Sequence, residues 1–247
     1  MKKAKKDGFD YQIALAGLES GAIKISPKEP FLNTFGRFNP INIDCNTFLL
    51  SQRHREIVLG GLIEITRNSV NLHHRSLAIA GARTGIPWAS FLVEMFKNPL
   101  LYIQNNHQSS NSKNREECGN RIDLSNYRAI LIDDVISTGR RNASAVASIR
   151  EMNGICDLCV SIIDYGFPEA EKVFIGELPF ERNGFDVPIE SLKSPCEKKS
   201  LLNLLQLIPI AWDKGFIEKE EEETLLKWME DPEYWGDKHG FPSLRRK

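Results

Sequence analysis

One stretch decides the fold: residues 129–143 read Ala-Ile-Leu-Ile-Asp-Asp-Val-Ile-Ser-Thr-Gly-Arg-Arg-Asn-Ala. Its first four residues are apolar and predict a buried strand over 129–132. Two aspartates and a group of small residues follow, and the pattern from Asn142 to Met152 predicts a helix. A short apolar strand that passes through small residues into a helix is typical of a parallel sheet covered by helices.

Similar short apolar runs occur on either side of this stretch. They predict strands over 77–80, 100–103 and 158–163. Helical patterns over 46–67 and 87–97 precede and separate the first two of these strands. Because strands that are buried on both faces appear as uninterrupted apolar runs, these elements predict an α/β fold with a Rossmann-like parallel sheet flanked by helices.

The C-terminal part of the chain has a different pattern. Residues 198–207 and 218–229 have amphipathic spacing and predict two helices, with Glu220–Glu223 in the exposed first turn of the second. The tail over 231–236 is too polar for a core strand, and we expect it to dock as an extension. We therefore expect three parts: an N-terminal segment (1–45), an α/β core (46–190) and a C-terminal helical extension (191–247).

The composition excludes several classes of protein. The chain has 247 residues, of which 41% are apolar, and this suits a globular protein of one or two domains. Its 32 Lys and Arg residues nearly balance 33 Asp and Glu residues, which argues against general nucleic-acid binding. The sequence contains no run of about 18 apolar residues, so we expect no membrane-spanning helix.

The cysteines are five in number and scattered along the chain. Cys156 and Cys159 form a C-x-x-C motif inside an apolar run, without the second ligand pair that a structural zinc site needs. We interpret them as buried strand thiols, and we expect the protein in the reducing cytoplasm.

The residues after the 129–132 strand carry the candidate chemistry. Ligands of open parallel sheets bind beyond the carboxyl ends of the strands, where we expect Asp133 and Asp134. Such carboxylates accept hydrogen bonds from the vicinal hydroxyls of a sugar or help to hold Mg²⁺. Small residues at 137–139 let backbone amides at a helix N-terminus approach a phosphate. These features predict a ligand with a ribose and a phosphate; the simple alternative is a strand-to-helix turn with solvated carboxylates.

The same stretch resembles a known family signature. Residues 130–139 are similar to the phosphoribosyl pyrophosphate (PRPP) motif of the type I phosphoribosyltransferases. Segments 22–31 with 35–44, 79–87, 165–171 and 228–235 resemble, in order, segments of the orotate phosphoribosyltransferases. On this resemblance the chain is identified as a divergent member of that family.

The resemblance implies a fold, a reaction and a set of contacts. The fold is the type I phosphoribosyltransferase sheet with a small hood from the N-terminal segment and a C-terminal helical extension. The reaction joins orotate to the ribose 5-phosphate of PRPP, with Mg²⁺, in a cytoplasmic homodimer. The implied contacts are Asp133 and Asp134 with the ribose hydroxyls and Mg²⁺, Ser137, Thr138, Gly139, Arg140 and Arg141 with the 5′-phosphate, Arg83, Thr84 and Gly85 with the diphosphate, and Phe35 and Phe38 with the base.

The chain departs from the family pattern in the segment after residue 103. The family has a Lys-x-His-Gly type motif there, on a loop that supplies positive charge to the diphosphate in the neighbouring subunit's site. Residues 104–119 lack this motif but contain His107, Lys113 and Arg115, which we take as the candidate catalytic cations.

A second departure follows residues 137–139, the phosphate loop. Arg140 and Arg141 stand where the family has small residues, and their guanidinium groups either strengthen phosphate binding or block the close approach of the backbone. Together the departures leave three hypotheses: transfer to orotate, transfer to another base, or a PRPP- or nucleotide-binding relative without catalytic activity.

Overall fold

The computed structural model describes residues 8–33, 36–69, 77–103, 123–180 and 192–244. The chain divides into two compact units. One unit consists of Met1–Val58 and Leu202–Lys247, and the other consists of Leu59–Leu201.

The elements of the described ranges follow one another in this order along the chain. The strands are β1 (Ile23–Ile25), β2 (Phe31–Leu32), β3 (Phe38–Asn39), β4 (Ile41–Ile43), β5 (Leu77–Ala82), β6 (Leu100–Ile103), β7 (Arg128–Ile136), β8 (Ile155–Asp164) and β9 (Glu197–Asn203). The α-helices are α1 (Phe9–Ser20), α2 (Gln52–Ser69), α3 (Ile86–Phe96), α4 (Arg140–Glu151), α5 (Pro168–Phe174), α6 (Leu204–Asp213), α7 (Lys219–Glu230) and α8 (Trp235–Lys238). Short 3₁₀ turns occupy Cys45–Leu50 and Arg83–Gly85.

A five-stranded sheet of order β6-β5-β7-β8-β9 forms the centre of the Leu59–Leu201 unit. Strands β5, β6, β7 and β8 pair in parallel. Helix α3 packs against β5, β6 and β7, while α4 packs against β7 and β8. Every residue of β5 is buried, as expected for a strand that is covered on both faces. The predicted α/β fold with a parallel sheet flanked by helices is therefore confirmed.

The elements predicted for this sheet occur close to their expected places. The four predicted strands correspond to β5, β6, β7 and β8, and the helices predicted over 87–97 and 142–152 correspond to α3 and α4. The long helical pattern over 46–67 divides into the 3₁₀ turn at Cys45–Leu50 and helix α2. Short apolar runs and helical spacing thus locate the sheet and the helices around it.

Strand β7 is longer than predicted, and the difference concerns the two aspartates. Instead of ending at residue 132, the strand continues to Ile136. Asp133 lies opposite Ser161 of β8, and Val135 lies opposite Ile163. Both aspartates therefore belong to the sheet, whereas the sequence interpretation placed them beyond it.

The helix predicted over 198–207 is wrong. The first part of this segment is strand β9, which adds to the sheet beside β8, and α6 begins only at Leu204. Asn203 sets the boundary, because its side chain accepts a hydrogen bond from the Gln206 amide while the Gln206 side chain accepts one from the Asn203 amide. This capping box starts a helix at a fixed residue, and the edge of β8 provides backbone partners for the residues before it.

Cys156 and Cys159 lie in β8 and are fully buried, which confirms the interpretation as strand thiols. The register between β7 and β8 shifts so that Asp157 has no opposite residue, and this extra residue brings both thiols to one face of the sheet. Within the described ranges, no three His, Cys, Asp or Glu side chains are grouped so that they could hold a metal ion.

The unit made of Met1–Val58 and Leu202–Lys247 brings the two chain ends together. Helix α1 packs against α6 and β1, and strands β1–β4 and β2–β3 form two antiparallel pairs. The tail docks as predicted: Trp235 is 2% exposed, and its ring stacks on those of His239 and Phe241. An ion pair between Arg37 and Glu233 also links the N-terminal segment to the tail.

Helix α7 confirms the second predicted C-terminal helix, with the acidic run in its first turn. Glu220 is exposed as expected, but Glu222 is buried and pairs with Lys219 at 2.5 Å. One carboxylate of the run therefore contributes to packing. None of the helices in the described ranges combines the length and apolar character needed to cross a membrane.

Candidate functional site

The carboxyl ends of β5 and β7 meet at a close backbone contact. The 3₁₀ turn Arg83–Gly85 follows β5 directly and packs against β7. A Cβ atom on Gly85 would lie 2.3 Å from the Ile132 carbonyl oxygen and 2.5 Å from Asp133 Cα, so no larger residue fits without moving the main chain. The Thr84 hydroxyl donates a hydrogen bond of 2.7 Å to Asp134 Oδ1. The structure therefore brings the predicted diphosphate turn and the aspartate pair together.

Arg83 adopts a left-handed backbone conformation, with φ of 49°. For a residue with a Cβ atom this conformation is strained, and such strain persists only where the surrounding structure imposes it. Two residues later, Gly85 packs directly on the backbone of Ile132 and Asp133 in β7. The strained backbone lies within the turn that the resemblance assigns to diphosphate binding.

The two aspartates have different environments. Asp133 is 7% exposed, and its Oδ1 accepts from the Asp134 amide at 2.9 Å while its Oδ2 accepts from Asn142 Nδ2 at 2.7 Å. Burial, together with the negative charge of Asp134, raises the pKa of Asp133 well above its ordinary value. Asp134 is half-buried, and its Oδ1 accepts from Thr84 and from the Val135 amide. Asp133 therefore points into the protein, while Asp134 lies at its surface.

The loop between β7 and α4 places a helix N-terminus beside the aspartate pair. Gly139 has φ of 75°, and a Cβ atom there would lie 3.0 Å from the Phe174 ring and 3.3 Å from Ala170 Cα. Helix α4 begins at the next residue, and the first intrahelical bond runs from the Ala143 amide to the Gly139 carbonyl. The amides before Ala143 lack intrahelical partners, and with the helix dipole they form a site suited to a phosphate.

Arg140 and Arg141 differ in the groups that act on their guanidinium groups. Arg140 Nε donates to Glu169 Oε1 of α5 at 2.6 Å. The pKa of Arg141 lies below its ordinary value. Burial and the positive charge of Arg83 lower it, and the negative charges of the two aspartates offset only part of this effect. The charges of Arg83 and the two aspartates therefore act on Arg141, whereas the guanidinium of Arg140 is held against α5.

Several predicted site residues cannot be placed beside this cluster. His107, Lys113, Arg115 and Phe35 lie outside the described residues, and their roles stay predictions. Phe38 belongs to the Met1–Val58 unit, where its ring packs against that of Phe241 with 5.8 Å between centroids. Its contact with a base likewise stays a prediction.

Sequence reasoning missed Asn142 and the network around Asp164. Asn142 was treated only as a helix start, yet it is 3% exposed and bonds to Asp133. Asp164 ends β8 opposite Ile136, is 5% exposed, and pairs with Lys198 at 2.5 Å. The usable signal for Asn142 is a lone amide directly before the small and apolar residues of α4.

Several curated proteins similar to this chain are orotate phosphoribosyltransferases. The orotate phosphoribosyltransferase of Coxiella burnetii is 27% identical over 226 residues, which cover 91% of this chain and 97% of that protein. The orotate phosphoribosyltransferase of Bacteroides thetaiotaomicron is 29% identical over 221 residues, which cover 88% and 92%. No family model matches the chain.

Solved structures agree on the fold. The orotate phosphoribosyltransferase of Aeropyrum pernix superimposes with a TM-score of 0.61 at 19% identity, covering 83% of this chain and 99% of that chain. The UMP synthase of Leishmania donovani gives a TM-score of 0.62 at 18% identity, covering 92% of this chain and 43% of that one. The described strands and helices are therefore arranged as in these proteins.

Proposed function

We propose that this chain, an orotate phosphoribosyltransferase-like protein with the type I phosphoribosyltransferase fold, is a glycosyltransferase of pyrimidine biosynthesis. It transfers ribose 5-phosphate from PRPP to orotate and releases diphosphate, giving orotidine 5′-monophosphate. One observation supports this reaction above all: the hydrogen bond from Thr84 to Asp134 joins the turn after β5 to the aspartate pair beside the N-terminus of α4. A sugar that carries a phosphate at each end needs such neighbouring sites.

Each part of the cluster has a role in this reaction. The amides at the start of α4 and the small residues of the 137–139 loop hold the 5′-phosphate. The outward carboxylate of Asp134 accepts from the ribose hydroxyls, and Arg83 with the Arg83–Gly85 turn faces the diphosphate. The bond from Arg140 to Glu169 supports the alternative in which this guanidinium does not block the approach of the phosphate to the loop backbone. Arg141 adds positive charge beside Arg83.

Mg²⁺ is proposed as the cofactor. Of the two aspartates, one is better placed than the other to bind it. Mg²⁺ in such sites is held by one or two carboxylates together with substrate phosphates and water. Asp134, which is half-buried at the surface, suits this role better than Asp133, which is 7% exposed. When bound, the ion neutralises charge on the diphosphate. Asp134 would hold it together with the oxygens of the substrate.

A homodimer in the cytoplasm is part of the proposal. Phe91 and Met95 on α3, and Leu100 and Tyr102 on the edge strand β6, are exposed large apolar side chains of the same unit. Exposed apolar side chains of this kind suit association with a second copy. A second subunit would also let the 104–119 segment contribute His107, Lys113 or Arg115 to the neighbouring site, as the resemblance implies.

The test is diphosphate release by the purified protein with Mg²⁺, PRPP and orotate. We expect orotate to be preferred over uracil, adenine, guanine and hypoxanthine, and we expect Asp134→Asn to lower kcat/KM by about 10²-fold or more. Asp123→Asn removes an exposed carboxylate near the start of β7 and serves as the matched control with unchanged kinetics. Preference for another base, or absence of turnover at high enzyme concentration, contradicts the proposal.

A further inference from the structure

The interior carboxylate of Asp133 must be compensated by groups of the protein. Burying an ionisable carboxyl group is costly unless hydrogen bonds satisfy it. Asp133 is 7% exposed, and its two oxygens accept from different donors: the Asp134 amide at 2.9 Å and Asn142 Nδ2 at 2.7 Å. One of these donors belongs to the backbone of the same strand. The other is a side chain on helix α4.

Asn142 occupies an unusual place for an amide side chain. It is the third residue of α4, it is 3% exposed, and its neighbours Ala143, Ala145 and Val146 are fully buried. Asparagine is unfavourable in a helix beyond the N-cap, and burying its amide adds a desolvation cost. The bond to Asp133 offsets this cost. Alanine at position 142 would give a more stable isolated helix than asparagine. The presence of the amide therefore indicates a role outside the helix.

The bond connects the two halves of the candidate site. Asn142 lies in the first turn of the helix whose N-terminus follows the 137–139 loop, and Asp133 lies within β7, three residues before its end. Asp133 in turn accepts from the amide of Asp134, the residue whose carboxylate lies at the surface. A continuous path therefore runs from the phosphate loop through two buried side chains to the backbone of Asp134.

We propose that Asn142 is a positioning residue: its amide fixes the Asp133 carboxylate in one rotamer, and Asp133 thereby fixes the peptide that carries Asp134. This inference rests on the proposed function. Asn142 touches neither substrate nor reacting atoms, and it acts on the ribose site through Asp133. Loss of its amide leaves a buried carboxylate oxygen without its donor and lets Asp134 move relative to the phosphate loop.

The test compares ligand affinity in a double-mutant cycle. Dissociation constants of PRPP and of ribose 5-phosphate are measured by calorimetry for the wild type, Asn142→Ala, Asp133→Asn and the double variant. We expect Asn142→Ala to weaken PRPP binding about 10–100-fold, because small misplacements of site groups have effects of this order. In the Asp133→Asn background the same substitution changes affinity less than threefold, since residues that act through one contact are strongly coupled.

A matched control separates positioning from stability. Ser148 is another buried polar residue of α4, and its hydroxyl donates to the Ser144 carbonyl within the helix. Ser148→Ala removes a buried polar group without touching Asp133, and we expect PRPP affinity and kcat/KM to stay within twofold of wild type. If Asn142→Ala does not fold, Asn142→Leu, which matches the volume more closely, replaces it in the cycle.

The outcomes separate the inference from the proposed function. If the wild type binds PRPP and transfers to orotate, but the Asn142 variant keeps wild-type affinity or the two substitutions are additive, the positioning role is overturned and the function stands. If the wild type binds neither PRPP nor ribose 5-phosphate, the proposed function and the inference both fall. KM for PRPP rising while KM for orotate stays constant supports the positioning role.

Discussion

Replacing Gly85 by alanine tests whether the turn after β5 is held directly against β7. The added Cβ atom would lie 2.3 Å from the Ile132 carbonyl oxygen, 2.5 Å from Asp133 Cα and 2.9 Å from the Ile132 carbonyl carbon. All three are main-chain atoms of a central strand, so no side-chain rotation relieves the contact. Gly85 has φ of −77°, which any residue adopts, so the effect is one of space and not of backbone conformation.

The expected magnitude follows from these distances. Ordinary carbon contacts begin near 3.5 Å, so the turn must retreat by about 1 Å. Inserting a methyl group into a packed site costs about 1–3 kcal/mol, and each kcal/mol lowers Tm by about 2–4 °C in a chain of this size. A retreat of 1 Å also separates Thr84 from Asp134. Such a misplacement lowers kcat/KM by about 10²-fold.

The assays are a thermal melt and the kinetics of diphosphate release. Gly215→Ala is the matched control, because Gly215 has φ of 74° and a Cβ atom there would meet nothing within 4 Å. The control loses about 1–2 kcal/mol through backbone strain alone and keeps its kcat/KM. If Gly85→Ala melts within 1 °C of wild type and retains kcat/KM within about twofold, the reasoning from close backbone contact is refuted.

Three further substitutions test packing, charge and capping. Lys198→Met leaves Asp164 buried without its partner and lowers the free energy of unfolding in urea by about 3–5 kcal/mol; an unchanged midpoint contradicts this. Although burial opposes the charge of Lys198, the hydrogen bond and charge of Asp164 raise its pKa. Its contribution is therefore complete below a pH of about 10.4 and is lost as pH rises through the raised pKa, so the wild-type advantage persists at pH 7–9 and shrinks above about 10.5. Trp235→Ala removes a side chain that is 2% exposed, and we expect it to lower the free energy of unfolding by about 3–5 kcal/mol and to remove a near-ultraviolet dichroism band. An unchanged free energy of unfolding and an unchanged spectrum would show that the tail is not docked. Asn203→Ala removes the cap of α6 and costs about 1 kcal/mol, while Asn203→Asp stays close to wild type; equal losses in both would exclude a capping role.

The sheet could be predicted because its strands have a simple pattern. Strands covered on both faces need continuous apolar runs, and β5, β7 and β8 all contain one. The edge strand β6 is also an apolar run, although its alternate residues are exposed. The end of β7 was missed because aspartates are rare in strands, yet Asp133 and Val135 still pair with β8. Pairing with a neighbouring strand decided the boundary, and the sequence of β7 alone does not contain that neighbour.

The segment over 198–207 failed for a related reason. Its apolar spacing resembles that of a helix, but the edge of β8 takes Glu197–Asn203 as a strand. The capping signal was nevertheless present, since Asn203 and Gln206 have the spacing of a capping box. Weighing this local signal above the broader spacing would have placed the start of α6 correctly.

The candidate site could be predicted where its residues are neighbours in the chain. The aspartate pair and the loop to α4 form one continuous segment, and the turn after β5 was identified through the resemblance. The bonds from Arg140 to Glu169 and from Lys198 to Asp164 join residues 29 and 34 positions apart. Such pairs depend on how the elements pack together, and no local sequence pattern predicts them.

The position of the aspartate pair inside the β7 ladder has a consequence for deuterium-exchange footprinting. Backbone amides in a central strand open only with the surrounding structure, so those of Ile132 and Asp133 are slow to take up deuterium even without a ligand. If Asp134 binds the ribose as proposed, that contact adds little protection within this strand. The proposed phosphate contact would instead slow exchange in peptides covering Ser137 to Arg141, so the absence of a footprint on β7 would not argue against a sugar bound at Asp134.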